Sequence, residues 1–283
     1  MNELIAASIL GIIQGLTEFL PISSSGHLVI ISNLLNYNEP GLLLEASVHI
    51  GTVIAILVYF RKRIGSLIVG LVTDAAGKNE GASLVSGQVR ARYRVVRILV
   101  LLAISFLCTG VVAVITKGWA TSAFDTPAFV GVLFVITALI LVSTRFIRTQ
   151  SSNADLLGIG IKVAILIGLL QGLAIFPGIS RSGITIVAAL WAGQNNQVSA
   201  EYSFFLAVPT IIAASVYSFW NIGAIPLDVS FQLVIASSMA LCVGLISIHW
   251  LIRWLRQGRL WWFSVYCAFM GVISIAGSFL GII

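Results

Sequence analysis

Six ionisable side chains in this 283-residue sequence stand inside apolar runs: Glu18, His27, Glu45, His49, Arg181 and Glu201. Burying a charge at membrane depth costs roughly 3 kcal/mol on insertion scales, so such residues mark a site by default. His27 follows Ser23-Ser24-Ser25-Gly26, a turn that opens a short helix, where backbone N–H groups attract anions. A histidine beside hydroxyls and a carboxylate is the equipment of nucleophilic or acid–base chemistry. Arg181 lies in a second such turn, Pro177-Gly-Ile-Ser-Arg-Ser-Gly183. Its planar guanidinium suits phosphate oxygens, and a salt bridge to Glu18 is its structural alternative. Glu18 comes four residues after Gln14, so both project from one helix face; an inter-helix clasp is the alternative to function. Glu45 and Glu201 open corresponding spans, where a helix N-terminus favours an acid by itself. Structure therefore explains these two as well as function does. His49, one turn beyond Glu45, reads as its structural partner.

The two turns belong to one duplicated motif. Residues 11–30 align without a gap on residues 168–187, and nine of the twenty positions are identical. The copies differ where chemistry would differ: Glu18 and His27 occur only in the first, Arg181 only in the second. Each copy breaks an apolar segment with Pro, Gly and Ser. Broken segments at matching places in two halves point to a binding site inside a membrane protein. The expected pocket takes a phosphate-bearing ligand whose apolar remainder lies in lipid. Walker-type nucleotide binding is not indicated, because no Gly-x-x-x-x-Gly-Lys-Ser/Thr string is present.

The elements that position these residues follow from composition. The chain is 59% hydrophobic and 9% charged, against about 25% charged in soluble domains. It reads as an all-α polytopic membrane protein, since barrel strands would alternate. The expected spans are about 45–60, 95–116, 126–145, 201–220, 229–252 and 261–283. Two re-entrant helical hairpins, about 4–35 and 156–193, carry the motifs. Non-helical backbone at that depth must be buried in protein or line a cavity, so the two turns should face each other. With both hairpins re-entrant, 14 of the 16 basic residues fall on one side, leaving only Lys117 opposite and Arg181 in a motif. That side is the cytoplasm. The hairpins then enter from opposite faces, which defines an inverted-topology repeat with halves 1–150 and 151–283. The net charge of +6 is topological, so no nucleic-acid partner is expected. Cys108, Cys242 and Cys267 form no metal or disulfide pattern. The N-terminal stretch has no basic flank or clear cleavage site, so no removable signal peptide is expected.

At these residues the chain resembles the undecaprenyl-diphosphate phosphatase family of the bacitracin-resistance type. The first family motif matches from Gln14 to Leu28 and the second from Pro177 to Thr185. The resemblance implies hydrolysis of the polyprenyl diphosphate lipid to its monophosphate and inorganic phosphate, which recycles the carrier for cell-wall sugars. It implies a bacterial inner-membrane location, a site open to the periplasm and a divalent cation, Mg2+ or Ca2+, with room for a homodimer. Taken with the residues read above, catalysis is expected of Glu18, Ser24, His27 and Arg181. Substrate binding falls to Gln14, Ser23, Ser25, Gly26, Ser180, Ser182, Gly183 and Thr185, and cation binding to Glu18 and Gln14. Many members carry Glu at position 14; the Gln14 amide oxygen can coordinate but cannot act as a base. Either Ser24 attacks the terminal phosphorus with His27 as base or acid, or His27 activates water and Ser24 only binds. The competing class is a transporter of an isoprenoid phosphate lipid, since inverted repeats with broken helices are also a transporter architecture.

Overall fold

The computed structural model describes residues 3–35, 41–72, 82–124, 126–147, 156–220 and 227–281. Lys78, Arg148 and the boundary between the two expected halves lie outside them. The described residues are helical, with no strand. In chain order the helices are α1 (Glu3–Thr17), α2 (Ser24–Leu35), α3 (Gly41–Tyr59), α4 (Arg61–Val72), α5 (Ala82–Phe124) and α6 (Pro127–Val142). They continue as α7 (Ile161–Gly172), α8 (Arg181–Trp191), α9 (Asn196–Trp220), α10 (Leu227–Arg256) and α11 (Trp262–Phe279).

Both motif segments break where proline chemistry demands it. A proline ring clashes with the carbonyl four residues earlier and has no N–H to donate. Pro21 sets that limit at Thr17, where α1 ends. Pro177 sets it at Leu173, where α7 gives way to a 3-10 turn over Leu173–Ile175. Ser180 then caps α8, its Oγ accepting the Gly183 N–H at 3.1 Å. Each expected hairpin is thus a pair of short helices joined by a turn.

Five helical stretches are long and apolar enough to cross a bilayer: Arg92–Ala123, Pro127–Phe146, Asn196–Trp220, Val229–Arg256 and Trp262–Phe279. The sixth expected span is Leu43–Tyr59, which passes together with Arg61–Val69 after a 66° bend. Helix α5 runs well past the expected 95–116. Helical propensity does not stop at the edge of the apolar stretch, and its 43 residues make about 64 Å at 1.5 Å each. Leu107, Val111 and Ile115, one helical turn apart, are all exposed. In water such a stripe would be a liability; in lipid it is solvated.

The packing of the two motif segments is reciprocal. α1 lies along α10, and α7 lies along α5. Gly11 sits so close that a β-carbon would stand 2.3 Å from the Ala236 carbonyl oxygen. At Gly168, its aligned counterpart, a β-carbon would stand 2.4 Å from the Ser105 carbonyl oxygen. Close approach of this kind is how helices associate where no hydrophobic force drives them together. Helices α6 and α11 pack on each other, as do α3 and α9. The core between them is aromatic, with Phe19, Phe134 and Phe204 fully buried and Phe19 set edge-on to Phe204 at 5.8 Å.

Candidate functional site

The two turns meet. Ser23 Oγ accepts the Gly178 N–H at 3.0 Å across 155 residues of sequence, and Ser182 Oγ donates to the Leu20 carbonyl at 3.2 Å. The geometry is demanding at two positions. Gly178 has φ +103°, open to glycine, and a β-carbon there would strike the Val130 carbonyl at 2.6 Å. Ser23 has φ +65°, a conformation that costs a non-glycine residue about 1–3 kcal/mol and gathers at functional sites. Its hydroxyl bond to Gly178 and its carbonyl bond to the His27 ring (2.7 Å) hold it there.

Glu18, the first residue after α1, is the hub. Its Oε1 pairs with the Arg181 guanidinium. Its Oε2 accepts the Ser24 hydroxyl at 2.5 Å and the Gln14 amide at 2.9 Å. His49 Nε2, from α3, stands 3.5 Å from the same oxygen. Glu18 is only 6% exposed, so its charge is offset by partners and not by water.

This cluster forms one wall of a cavity of about 630 Å3. Of the residues the sequence singles out, Glu18, Ser24, Ser25, Ser180, Arg181, Glu45 and His49 line it. Gln14 lies behind Glu18 and is fully buried. Ser23 in the first turn, Gly26 in α2 and Ser182, Gly183 and Thr185 in α8 stand off the wall. Gly26 packs against the Phe134 ring, the Gly183 N–H is taken by Ser180, and Thr185 Oγ1 bonds the Arg181 carbonyl (2.8 Å) and Ser203 Oγ (2.6 Å). His27 is also off the wall. Its Nδ1 bonds the Ser23 carbonyl, its Nε2 the Tyr266 hydroxyl at 2.7 Å, and its ring stacks on Tyr266. Glu201 is elsewhere too, paired with Arg63 at 2.6 Å beside a cavity of about 150 Å3.

Sequence reasoning paired His49 with the Glu45 side chain; the bond His49 makes to Glu45 is to the main-chain carbonyl oxygen, at 2.7 Å. What it missed is the approach of the other ring nitrogen to Glu18. It also passed over Thr109, Gln171 and Thr210, a polar patch in the lining of the same cavity in which Gln171 Nε2 donates to both hydroxyls at 3.0 Å. The signal was present, because Gln171 duplicates Gln14.

The oxygens around Glu18 suit a hard cation. Gln14 Oε1 is buried without a hydrogen-bond partner, on the same amide whose Nε2 donates to the Glu18 carboxylate. Among the described residues no three His, Cys, Asp or Glu side chains gather into a metal cluster. Mg2+ commonly takes one or two carboxylates and completes its shell with phosphate oxygens and water.

An all-helical, multi-pass membrane protein with a carboxylate, a hydroxyl and a guanidinium gathered at one cavity is the class these observations define. Within it, the family model described as Bacitracin resistance protein BacA matches residues 7–273, and the chain belongs to that family. It is similar to an undecaprenyl-diphosphatase of Desulfatibacillum aliphaticivorans, 36% identical over 271 residues, covering 96% of this chain and 97% of the relative. It is also 36% identical over 277 residues to an undecaprenyl-diphosphatase of Methanosphaera stadtmanae, covering 97% and 98%. To an undecaprenyl-diphosphatase 2 of Halalkalibacterium halodurans the identity is 33% over 276 residues, covering 94% and 92%.

Proposed function

We propose that this chain is an integral membrane phosphatase that hydrolyses undecaprenyl diphosphate to undecaprenyl phosphate and inorganic phosphate. The observation that carries the reading is the convergence of Ser24 and Arg181 on opposite oxygens of Glu18 at one cavity wall.

Arg181 exchanges Glu18 for oxygens of the arriving diphosphate, which frees the carboxylate. Glu18 then accepts the proton of Ser24, whose hydroxyl already donates to it. Ser24 Oγ bonds to the terminal phosphorus. The anhydride P–O bond breaks, and the lipid monophosphate leaves with the electron pair and takes the proton from Glu18. In the second half, water attacks the phosphoserine and gives its proton to Glu18, and the departing seryl oxygen takes that proton back. Inorganic phosphate is released. Of the two nucleophiles the sequence leaves open, Ser24 is favoured by its place on the wall. His27 is given a positioning role, holding the Ser23 carbonyl. Mg2+ or Ca2+, held by Glu18 with Gln14 Oε1, would offset the diphosphate charge.

The reading extends to a bacterial inner membrane with the basic loops in the cytoplasm and the cavity open to the periplasm, supported by the charge bias. The inverted repeat is supported by the reciprocal seating of Gly11 and Gly168. The test is phosphate release by the purified protein in detergent from undecaprenyl diphosphate, with and without chelator. Release that chelator abolishes is expected. A carrier that only moves the lipid would release none, and that result would end the phosphatase reading.

A further inference from the structure

The cavity does not stop at Arg181. It runs on between α5 and α9, past Gly110 and Ala113 on one side and Ala213 and Ala214 on the other. At its inner end Gln171 is 2% exposed. At its outer end lie Lys117 and Tyr217, both exposed, Tyr217 at 57%. Thr109 and Lys117 are eight residues apart on one helix, about 12 Å along its axis. A basic residue thus stands at the outer end of the same cavity whose inner end holds Arg181.

Lys117 has no ordinary reason to be there. It is the basic residue that falls opposite the fourteen others, so the charge rule for topology disfavours it. Among the described residues no carboxylate pairs with it. Instead its Nζ donates to the Tyr217 hydroxyl at 2.5 Å and lies 4.5 Å from the centroid of that ring. A phenol and an aromatic face hold an ammonium in place without cancelling its charge, whereas a carboxylate would neutralise it. The intervening wall carries small residues and neutral polar side chains, Thr109, Gln171, Thr210 and Ser215, so between Lys117 and Arg181 the described residues of the lining offer an anion no other positive charge.

We propose that Lys117, held by Tyr217, is the phosphate-capturing mouth of this cavity. It binds the phosphate of an arriving lipid diphosphate, or departing inorganic phosphate, as an anion subsite occupied at equilibrium in addition to Arg181. The proposal rests on the phosphatase reading, but its test does not depend on turnover.

The test uses the full-length protein in detergent with divalent cation and two probes, inorganic diphosphate and farnesyl diphosphate. Lys117→Gln is expected to weaken the Kd for both, and to raise KM for farnesyl diphosphate, by about tenfold. The kcat should stay within about twofold, and about 0.5 M NaCl should erase most of the difference. Lys117→Arg should restore binding. Tyr217→Phe keeps the ring and the ammonium and should move either Kd by less than about threefold. Unchanged Kd values in Lys117→Gln would overturn the proposal. So would equal losses of binding and thermal midpoint in Lys117→Gln and Tyr217→Phe, which would make the pair a clasp between α5 and α9. A loss confined to farnesyl diphosphate would assign the effect to packing of the lipid tail and overturn it as well. Failure of the wild type to release phosphate would sink the phosphatase reading and leave the Kd ratio to judge Lys117.

Discussion

The turn after α1 and the turn after α7 start from nearly the same residues and finish with opposite charges. Ser24 and Arg181 are aligned positions, each the first residue of the helix that follows its turn. Both reach the same carboxylate, one with a hydroxyl and the other with a guanidinium. Glu18 itself is matched by Ile175, and His27 by Ile184. The backbones diverge too: the positive φ falls on Ser23 in the first turn and on Gly178 in the second. Duplication therefore supplies two equivalent slots facing one point, and substitution fills them with different chemistry. On the mechanism proposed above, a site assembled this way needs both copies of the motif, since neither alone has the nucleophile, the base and the anion-binding cation.

The largest expected effects break that complementarity. Ser24→Ala and Glu18→Gln should each lower phosphate release by about 10³-fold or more, and the double variant should be little worse than either, because residues acting as one unit are non-additive. Multiplicative losses in the double variant would show that the two act separately. Arg181→Ala comes next. Removing a preorganised charge from the reacting phosphate should cost about 10²–10³ in kcat. It also strands a buried carboxylate, at about 3 kcal/mol or more, so the thermal midpoint should fall. Near-normal release by a folded Arg181→Ala protein would remove the guanidinium from the site.

Much of this was legible in the chain because it is local. The breaks follow from Pro21 and Pro177, the helix-opening turns from their Gly and Ser residues, and the site from charges that an apolar segment cannot carry without cause. The pairing of Arg181 with Glu18 stood in the sequence as that arginine's structural alternative. What was not legible depends on how helices rotate about their axes. His49 was visible as a charge at membrane depth, but its approach to Glu18 needs the facing of α3 toward α1. His27 was read into the site because it neighbours three serines. Its partner Tyr266 lies 239 residues away, and no spacing rule reaches that far. The bend of α3 into α4 at Phe60 was hidden as well, since the apolar run gives way there to Arg61-Lys62-Arg63 and read as the end of a helix.

Smaller effects test the symmetry of the scaffold. Gly11→Ala and Gly168→Ala each drive a methyl group into a carbonyl oxygen of the facing helix, and overpacking of this kind costs about 1–3 kcal/mol. If the halves seat alike, the two thermal midpoints should fall by similar amounts. A loss at one position with tolerance at the other would separate the two helix pairs.

The smallest expected effect decides what His27 does. Its Nδ1 faces the Ser23 carbonyl, which can only accept, so Nδ1 carries the proton. In the neutral ring Nε2 is then an acceptor, and the Tyr266 hydroxyl donates to it. Tyr266→Phe removes that donor and leaves a buried acceptor unmet, which costs about 1–2 kcal/mol. If His27 only holds the left-handed Ser23 in place, the thermal midpoint should fall slightly and kcat should stay within about threefold of the wild type, because the Nδ1 bond to Ser23 survives. A hundredfold loss of kcat at an unchanged midpoint would instead mean that a proton on His27 is used in turnover. The ring would then have to leave Tyr266 and reach the cavity, and the two turns would share the chemistry more evenly than Glu18 alone implies.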